Sequence, residues 1–90
     1  MSDVSNESPV IQRYYRARSL DGLASAIAGA RGTRHLTQED LGRAIGASRP
    51  TISRMERGIP TGVDTVLDAL AACGYELVAV PRGAKVSVSS

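Results

Sequence analysis

Apolar residues recur at helical spacing along most of this chain. Leu20, Leu23, Ala24, Ile27 and Ala28 fall at i, i+3, i+4, i+7 and i+8, the spacing of one buried stripe on a first helix. Gly29 and Gly32 weaken its end, and Thr33-Arg34-His35 reads as a loop. Thr37 then suits an N-cap, with Asp40 three residues on as an acidic form of the capping box and Leu36 placed to staple onto Leu41. Leu41, Ala44 and Ile45 form the inner face of this short second helix, and Gly46 stops it. Ser48 is the next N-cap, and Pro50 sits in the first turn, where its missing N–H costs nothing. Ile52 and Met55 face inward on the third helix, which Gly58 closes. Val63, Val66, Leu67, Leu70 and Ala71 repeat the stripe on a fourth, with Gly74 as its stop.

The period then changes. Glu76-Leu77-Val78-Ala79-Val80 is a β-favouring run ended by Pro81, which predicts a strand over 75–80. One strand on a helical chain has no partner for its N–H and C=O groups. Two solutions are open: an isologous two-stranded sheet with a second copy through Leu77, Val78, Ala79 and Val80, or a local hairpin through Pro81-Arg82-Gly83-Ala84 to Lys85–Val88. Met1–Pro9 is polar and aperiodic, and Arg13–Arg18 is basic, either an arm for DNA or a frayed lead-in to the first helix. The expected layout is therefore a flexible arm over 1–18, one mainly α domain over 19–81 and a flexible tail over 82–90.

Composition narrows the chemistry. The three aromatics are all Tyr, so the core must be built from Leu, Ile, Val and Ala in closely packed helices. Ninety residues bury only about 60% of the unfolded surface, which gives such a domain a motive to dimerise. A single Cys excludes an internal disulfide and fits a reducing cytoplasm. With one His besides, it cannot build a four-ligand zinc site, and no cofactor is expected. One His, one Cys, no clustered carboxylates and too little chain for a cleft leave no catalytic set, so the chain is not read as an enzyme. No run approaches the roughly 20 apolar residues of a membrane span, and the N-terminus lacks the apolar stretch of a signal peptide.

Charge is divided along the chain. Between Arg31 and Gly58 six arginines (31, 34, 43, 49, 54 and 57) face only Glu39, Asp40 and Glu56. From Ile59 to Val80 the only charges are Asp64, Asp68 and Glu76. A basic middle followed by an acidic stretch fits a protein with one face on phosphate. Two short helices around a Gly-centred turn have helix-turn-helix length, with Ala44 small at the crossing, Gly46 permitting the turn and Ile52 plugging the angle. The outward residues of the third helix are then Arg49, Ser53, Arg54 and Arg57, with Ser48 and Thr51 nearby. An Arg can grip guanine O6 and N7 bidentately, and Ser or Thr can reach base edges or phosphates. Gln38, a long neutral donor beside the N-terminus of its own helix, suits a backbone phosphate. Single-strand RNA readers stack bases on aromatics, and this region has none.

Leu36-Thr37-Gln38-Glu39-Asp40-Leu41, Ile45-Gly46-Ala47-Ser48 and Thr51-Ile52-Ser53-Arg54-Met55-Glu56-Arg57-Gly58 closely resemble the XRE (Cro/C1-type) family of helix-turn-helix proteins, over roughly Leu20 to Val80. The resemblance implies a λ-repressor-like DNA-binding domain of four to five helices. In it Gln38 would touch phosphate, and Arg49, Ser53 and Arg54 would contact bases. Pro50 departs from the small or polar residue usual there, so specificity would lean on Arg49 and Arg54. Asp64–Leu70 and Gly74–Pro81 are similar to HipB-like antitoxins, whose terminal strand pairs across a dimer. That likeness implies a cytoplasmic, bacterial or phage-encoded repressor that binds double-stranded DNA as a homodimer on an inverted-repeat operator, partnered by a HipA-like kinase toxin. The alternative is a stand-alone phage or host repressor without a toxin.

Overall fold

The computed structural model of the chain describes residues 14–88. Four helices form among them: α1 (Leu20–Thr33), α2 (Gln38–Ile45), α3 (Arg49–Glu56) and α4 (Val63–Ala72). α2 packs on α3 and α4, and α1 closes the other side of α3 and α4. The core between them is small and aliphatic: Ile27, Ala30, Leu41, Ile52, Met55, Val66, Ala69, Leu70 and Cys73, with Leu23, Leu36, Ile45 and Tyr75 packed partly against it. None of the helices is long and apolar enough to cross a membrane.

Caps open α2 and α3 where the sequence placed them, at Thr37 and Ser48. Thr37 accepts the Asp40 N–H at 3.0 Å while the Asp40 carboxylate accepts the Thr37 N–H at 3.0 Å, the reciprocal pair of a capping box. The Thr37 N–H on the carboxylate, followed by the Thr37 side chain, holds the Asp40 carboxyl below its ordinary range, with Arg43 assisting. α1 runs through Gly29 and Gly32 to Thr33, further than those glycines led us to expect. It ends by a closure that no glycine marks. His35 takes the left-handed conformation (φ 57°), and the Leu36 N–H reaches back to the Arg31 carbonyl at 3.2 Å. Gly46, Gly58 and Gly74 make the same left-handed exit at the ends of the other three helices.

Three further features differ from the sequence reading. At the α2–α3 crossing the small residue is Gly42, not Ala44, which is exposed. A Cβ on Gly42 would lie 2.5 Å from the Ala47 carbonyl oxygen, because the turn folds back to hydrogen-bond there (Ala47 N–H to the Gly42 carbonyl, 2.8 Å). The buried face of α4 is rotated: Val66, Ala69, Leu70 and Cys73 point inward, whereas Val63, Leu67 and Ala71 face out. Leu20 is likewise exposed at the start of α1, where Ala26 and Ala30 turn inward instead. Helical periodicity fixes a stripe's width better than its phase, and the small alanines win because they let the helices approach.

The third difference is at the C-terminus, where residues 75–80 form no strand. A strand is defined by the partner it bonds, and the described residues supply none here. Pro81 and Ala84 do close a turn, with the Ala84 N–H on the Pro81 carbonyl at 3.0 Å and Gly83 at φ 83°. Yet no backbone hydrogen bond joins 75–80 to 85–88 among the described residues, so the local hairpin is not formed. Leu77, Val78 and Val80 remain exposed.

At the other end, Met1–Pro9 and Arg13 lie outside the described residues. Tyr14–Arg18 precedes α1 without helix and runs back along it. The Tyr15 hydroxyl meets Thr33 Oγ1 at 2.9 Å, and Ala17 lies against Gly22.

The Gly42 approach generates a test. Gly42→Ala is expected to cost about 1–3 kcal/mol, since backbone must move to admit the methyl group. Gly32→Ala, which meets nothing within 4 Å, should stabilise by about 0.4–1 kcal/mol through the unfolded chain alone. Urea unfolding of both variants checks the pair; equal effects at the two sites would contradict the close crossing.

Candidate nucleic-acid interface

The outward arc of α3 is set by what its inner face buries. Ile52 and Met55 are almost wholly enclosed, so the opposite side must carry Arg49, Pro50, Ser53, Arg54 and Arg57. Arg49, Arg54 and Arg57 are exposed, and none of them makes an ion pair among the described residues. Arg57 Nε leans on the Ser53 carbonyl at 3.4 Å, which draws that side chain along the helix. Pro50 takes one N–H out of the first turn and Ser48 engages that of Thr51, while the helix dipole still adds a partial positive charge to the same end.

Ser48 and Thr51 are placed differently from these. Ser48 Oγ accepts the Thr51 N–H at 3.3 Å, and the two hydroxyls lie 2.9 Å apart. Their first task is to close the start of α3, and Thr51 sits on the flank of the outward arc.

Gln38 opens α2 and is tied to α3. Its Nε2 donates to Glu56 Oε1 at 3.1 Å. Glu56 in turn accepts from Arg31, Nε to Oε2 at 2.7 Å and a terminal nitrogen to Oε1 at 2.9 Å, while the remaining terminal nitrogen donates to the Leu36 carbonyl at 2.8 Å. The Glu56 side chain is only 6% exposed and that of Arg31 21%. The hydrogen bond to Glu56 raises the Arg31 pKa further above its already high ordinary value. This node joins the end of α1, the start of α2 and the end of α3, so Gln38 is held by the same group that fixes the angle of α3.

The basic stretch thus divides in two. Arg31 pairs with Glu56, and Arg43 pairs with Asp40 at 2.7 Å and more loosely with Glu39. Arg34 lies against Gly74 across the C-terminal end of α4, a favourable place for a cation. Arg49 and Arg54 of α3 and Arg57 just beyond it have no ion-pair partner among the described residues. Counting charges along the sequence did not reveal which arginines were engaged, and the structural importance of Arg31 and Glu56 was missed. The spacing carries no local signal for that pair, which lies 25 residues apart. Burial raises the pKa of the Cys73 thiol, more than nearby Arg31 and Arg34 offset, which makes it a core residue and not a reactive one.

A helix-turn-helix family model matches residues 27–80. No curated protein matches the chain. Among solved structures, it is similar to a chain of the HipA-HipB-O2-O3 complex, at 24% identity and TM-score 0.69, covering 77% of this chain and 99% of that one. A chain of a toxin–antitoxin module from Streptococcus pneumoniae is 36% identical, with TM-score 0.57 and 70% of each chain covered. The clp gene regulator ClgR from Corynebacterium glutamicum is 24% identical over 63% of this chain, with TM-score 0.58, and the chain spans 62% of that structure's length.

The buried node predicts a graded response. Glu56→Ala should cost about 3 kcal/mol, the low end for breaking a buried pair, because it strands the Arg31 charge. Arg31→Lys keeps the charge but loses the planar fork, so its cost should be smaller yet measurable. Denaturant midpoints for the two variants test the order; an Arg31→Lys protein less stable than Glu56→Ala would contradict the node described.

Proposed function

This chain belongs to the XRE-type helix-turn-helix family, and from that premise we propose that it is a sequence-specific DNA-binding transcriptional repressor acting in the cytoplasm, and the antitoxin of a toxin–antitoxin operon. The observation that carries the DNA reading is the outward arc of α3, where three arginines with no ion pair among the described residues flank Ser53 above a buried Ile52–Met55 face. Arg49 and Arg54 read base edges from the major groove, Ser53 touches a base, and Arg57 adds to the positive face. Ser48 and Thr51 keep the start of the helix closed, within reach of a phosphate. Gln38, steadied by Glu56, takes a backbone phosphate at the start of α2.

The antitoxin role draws support from the likeness to the toxin–antitoxin chain and from the shared fold with the HipA–HipB complex. A HipA-like kinase is the partner this reading names. A stand-alone repressor is the second reading, supported by the likeness to a gene regulator. Pull-down from the host separates them: a kinase-like protein retained with the chain supports the antitoxin, and operator DNA alone supports the repressor.

The homodimer rests on exposed apolar surface. Val63 and Leu67 on α4 and Leu77, Val78 and Val80 beyond it face solvent in the single chain. Fully burying one Val or Leu is worth roughly 1.5–3 kcal/mol. Pairing 77–80 across a twofold axis would place two α3 helices about 34 Å apart, one DNA turn, on an inverted repeat.

Two outcomes are expected. Arg49→Ala loses about 1–3 kcal/mol of specific binding, because a guanine edge goes unread, whereas Gln38→Ala weakens good and poor operators alike. Titrations on a specific and a random duplex decide; an unchanged ratio of affinities in Arg49→Ala removes its base-reading role.

Val78→Pro takes a donor from the ladder and should give a monomer that keeps weak half-site binding but loses the full operator. Sedimentation with footprinting measures both. A dimeric Val78→Pro protein with normal operator binding would rule out the paired segment.

A further inference from the structure

Residues far apart in sequence meet where the segment before α1 passes the segment after α4. The Tyr15 ring packs on Tyr75, centroids 5.6 Å apart and planes tilted by 53°, and its edge lies where a Cβ on Gly29 would be only 2.5 Å away. Thr33 Oγ1 donates to the Gly29 carbonyl at 2.9 Å, so its contact with the Tyr15 hydroxyl is made by the tyrosine proton. One residue on, a terminal nitrogen of Arg16 donates to the Ala84 carbonyl at 2.9 Å, at the end of the turn after Pro81. The C-terminal segment is thus gripped at both ends. Tyr75 is held by Tyr15 and by its own N–H on the Leu70 carbonyl (2.8 Å), and Ala84 is held by Arg16. Between these points 76–80 makes no backbone hydrogen bond among the described residues and exposes Leu77, Val78 and Val80.

We propose that Tyr15 and Arg16 are positioning residues for the segment 75–84: they fasten its two ends to α1 and so hold its unpaired middle outward for a second copy of this chain. The proposal rests on the pairing of two copies proposed above. A segment tethered only at Tyr75 would sweep many orientations, and pairing would have to overcome that freedom; one tethered at both ends has lost most of it beforehand. Gly29 is required because any side chain there would displace the Tyr15 ring. The strap therefore links the segment before α1 to the proposed interface.

The test uses the full chain with Tyr15→Ala, Arg16→Ala and Tyr15→Phe, the last keeping the ring while losing the bond to Thr33. Two readouts are taken: tryptic cleavage after Arg82 and Lys85 under native conditions, and the dimer dissociation constant by sedimentation. Tyr15→Ala and Arg16→Ala should each cleave about tenfold faster at these bonds and dimerise about tenfold more weakly. Tyr15→Phe should stay near the parent in both, and helical content by circular dichroism should be unchanged in all three. Parent-like cleavage in both Tyr15→Ala and Arg16→Ala overturns the strap. Faster cleavage with an unchanged dissociation constant overturns its link to pairing. A parent that sediments as a monomer at every concentration overturns the dimer itself, and the cleavage rates then still decide whether the strap holds the segment.

Discussion

The Glu56 carboxylate organises this fold. It sits nearly enclosed at the end of α3 and accepts hydrogen bonds from both Arg31 and Gln38. A charge so placed is costly unless its partners are fixed, and a guanidinium fork fixes them in plane. Arg31 spends its last terminal nitrogen on the Leu36 carbonyl, which also settles the loop between α1 and α2. Three helices are therefore indexed to one polar node, and the aliphatic core fills in beneath it. Interdigitating Ile, Leu and Ala side chains could be satisfied by several helix angles. The node's geometry admits few.

Close approach does the remaining work. With no Phe or Trp, the core gains its density from thin helices. Ala30 and Ala69 are fully enclosed, and Gly42 lets the turn carbonyl of Ala47 lie against α2. That approach sets α3 hard against α2 with its arginines turned away, which is how core packing determines the chemistry of the surface. Gln38 is connected to both: its amide hangs on the ion pair, and its helix start is closed by the Thr37–Asp40 box.

The C-terminal segment obeys a different constraint. Its apolar side chains cannot all reach a core that α1 and α4 have already filled, and its backbone has no ladder among the described residues. Tyr75, the last residue to pack inward, and the Tyr15–Arg16 contacts hold it in place without satisfying it. Such an apolar edge, with its backbone groups unpaired among the described residues, is the kind of surface that a partner covers.

Local rules carried much of this into the sequence. The caps at Thr37 and Ser48, the left-handed exits at Gly46, Gly58 and Gly74, and the spacing of α2 and α3 all depend on groups within a few residues of one another, and each was legible. So was the outward set Arg49, Ser53, Arg54 and Arg57, because a helix that buries Ile52 and Met55 has only one opposite side. The rest required distant residues to meet. The phase of the α4 stripe, the choice of Gly42 over Ala44, the exit at His35 and the engagement of Arg31 by Glu56 each depend on what lies across the fold. The strand shows this limit most plainly. Residues 76–80 state a β preference, but preference becomes structure only when a partner's backbone is present, and that is decided by tertiary and quaternary contact, not by sequence.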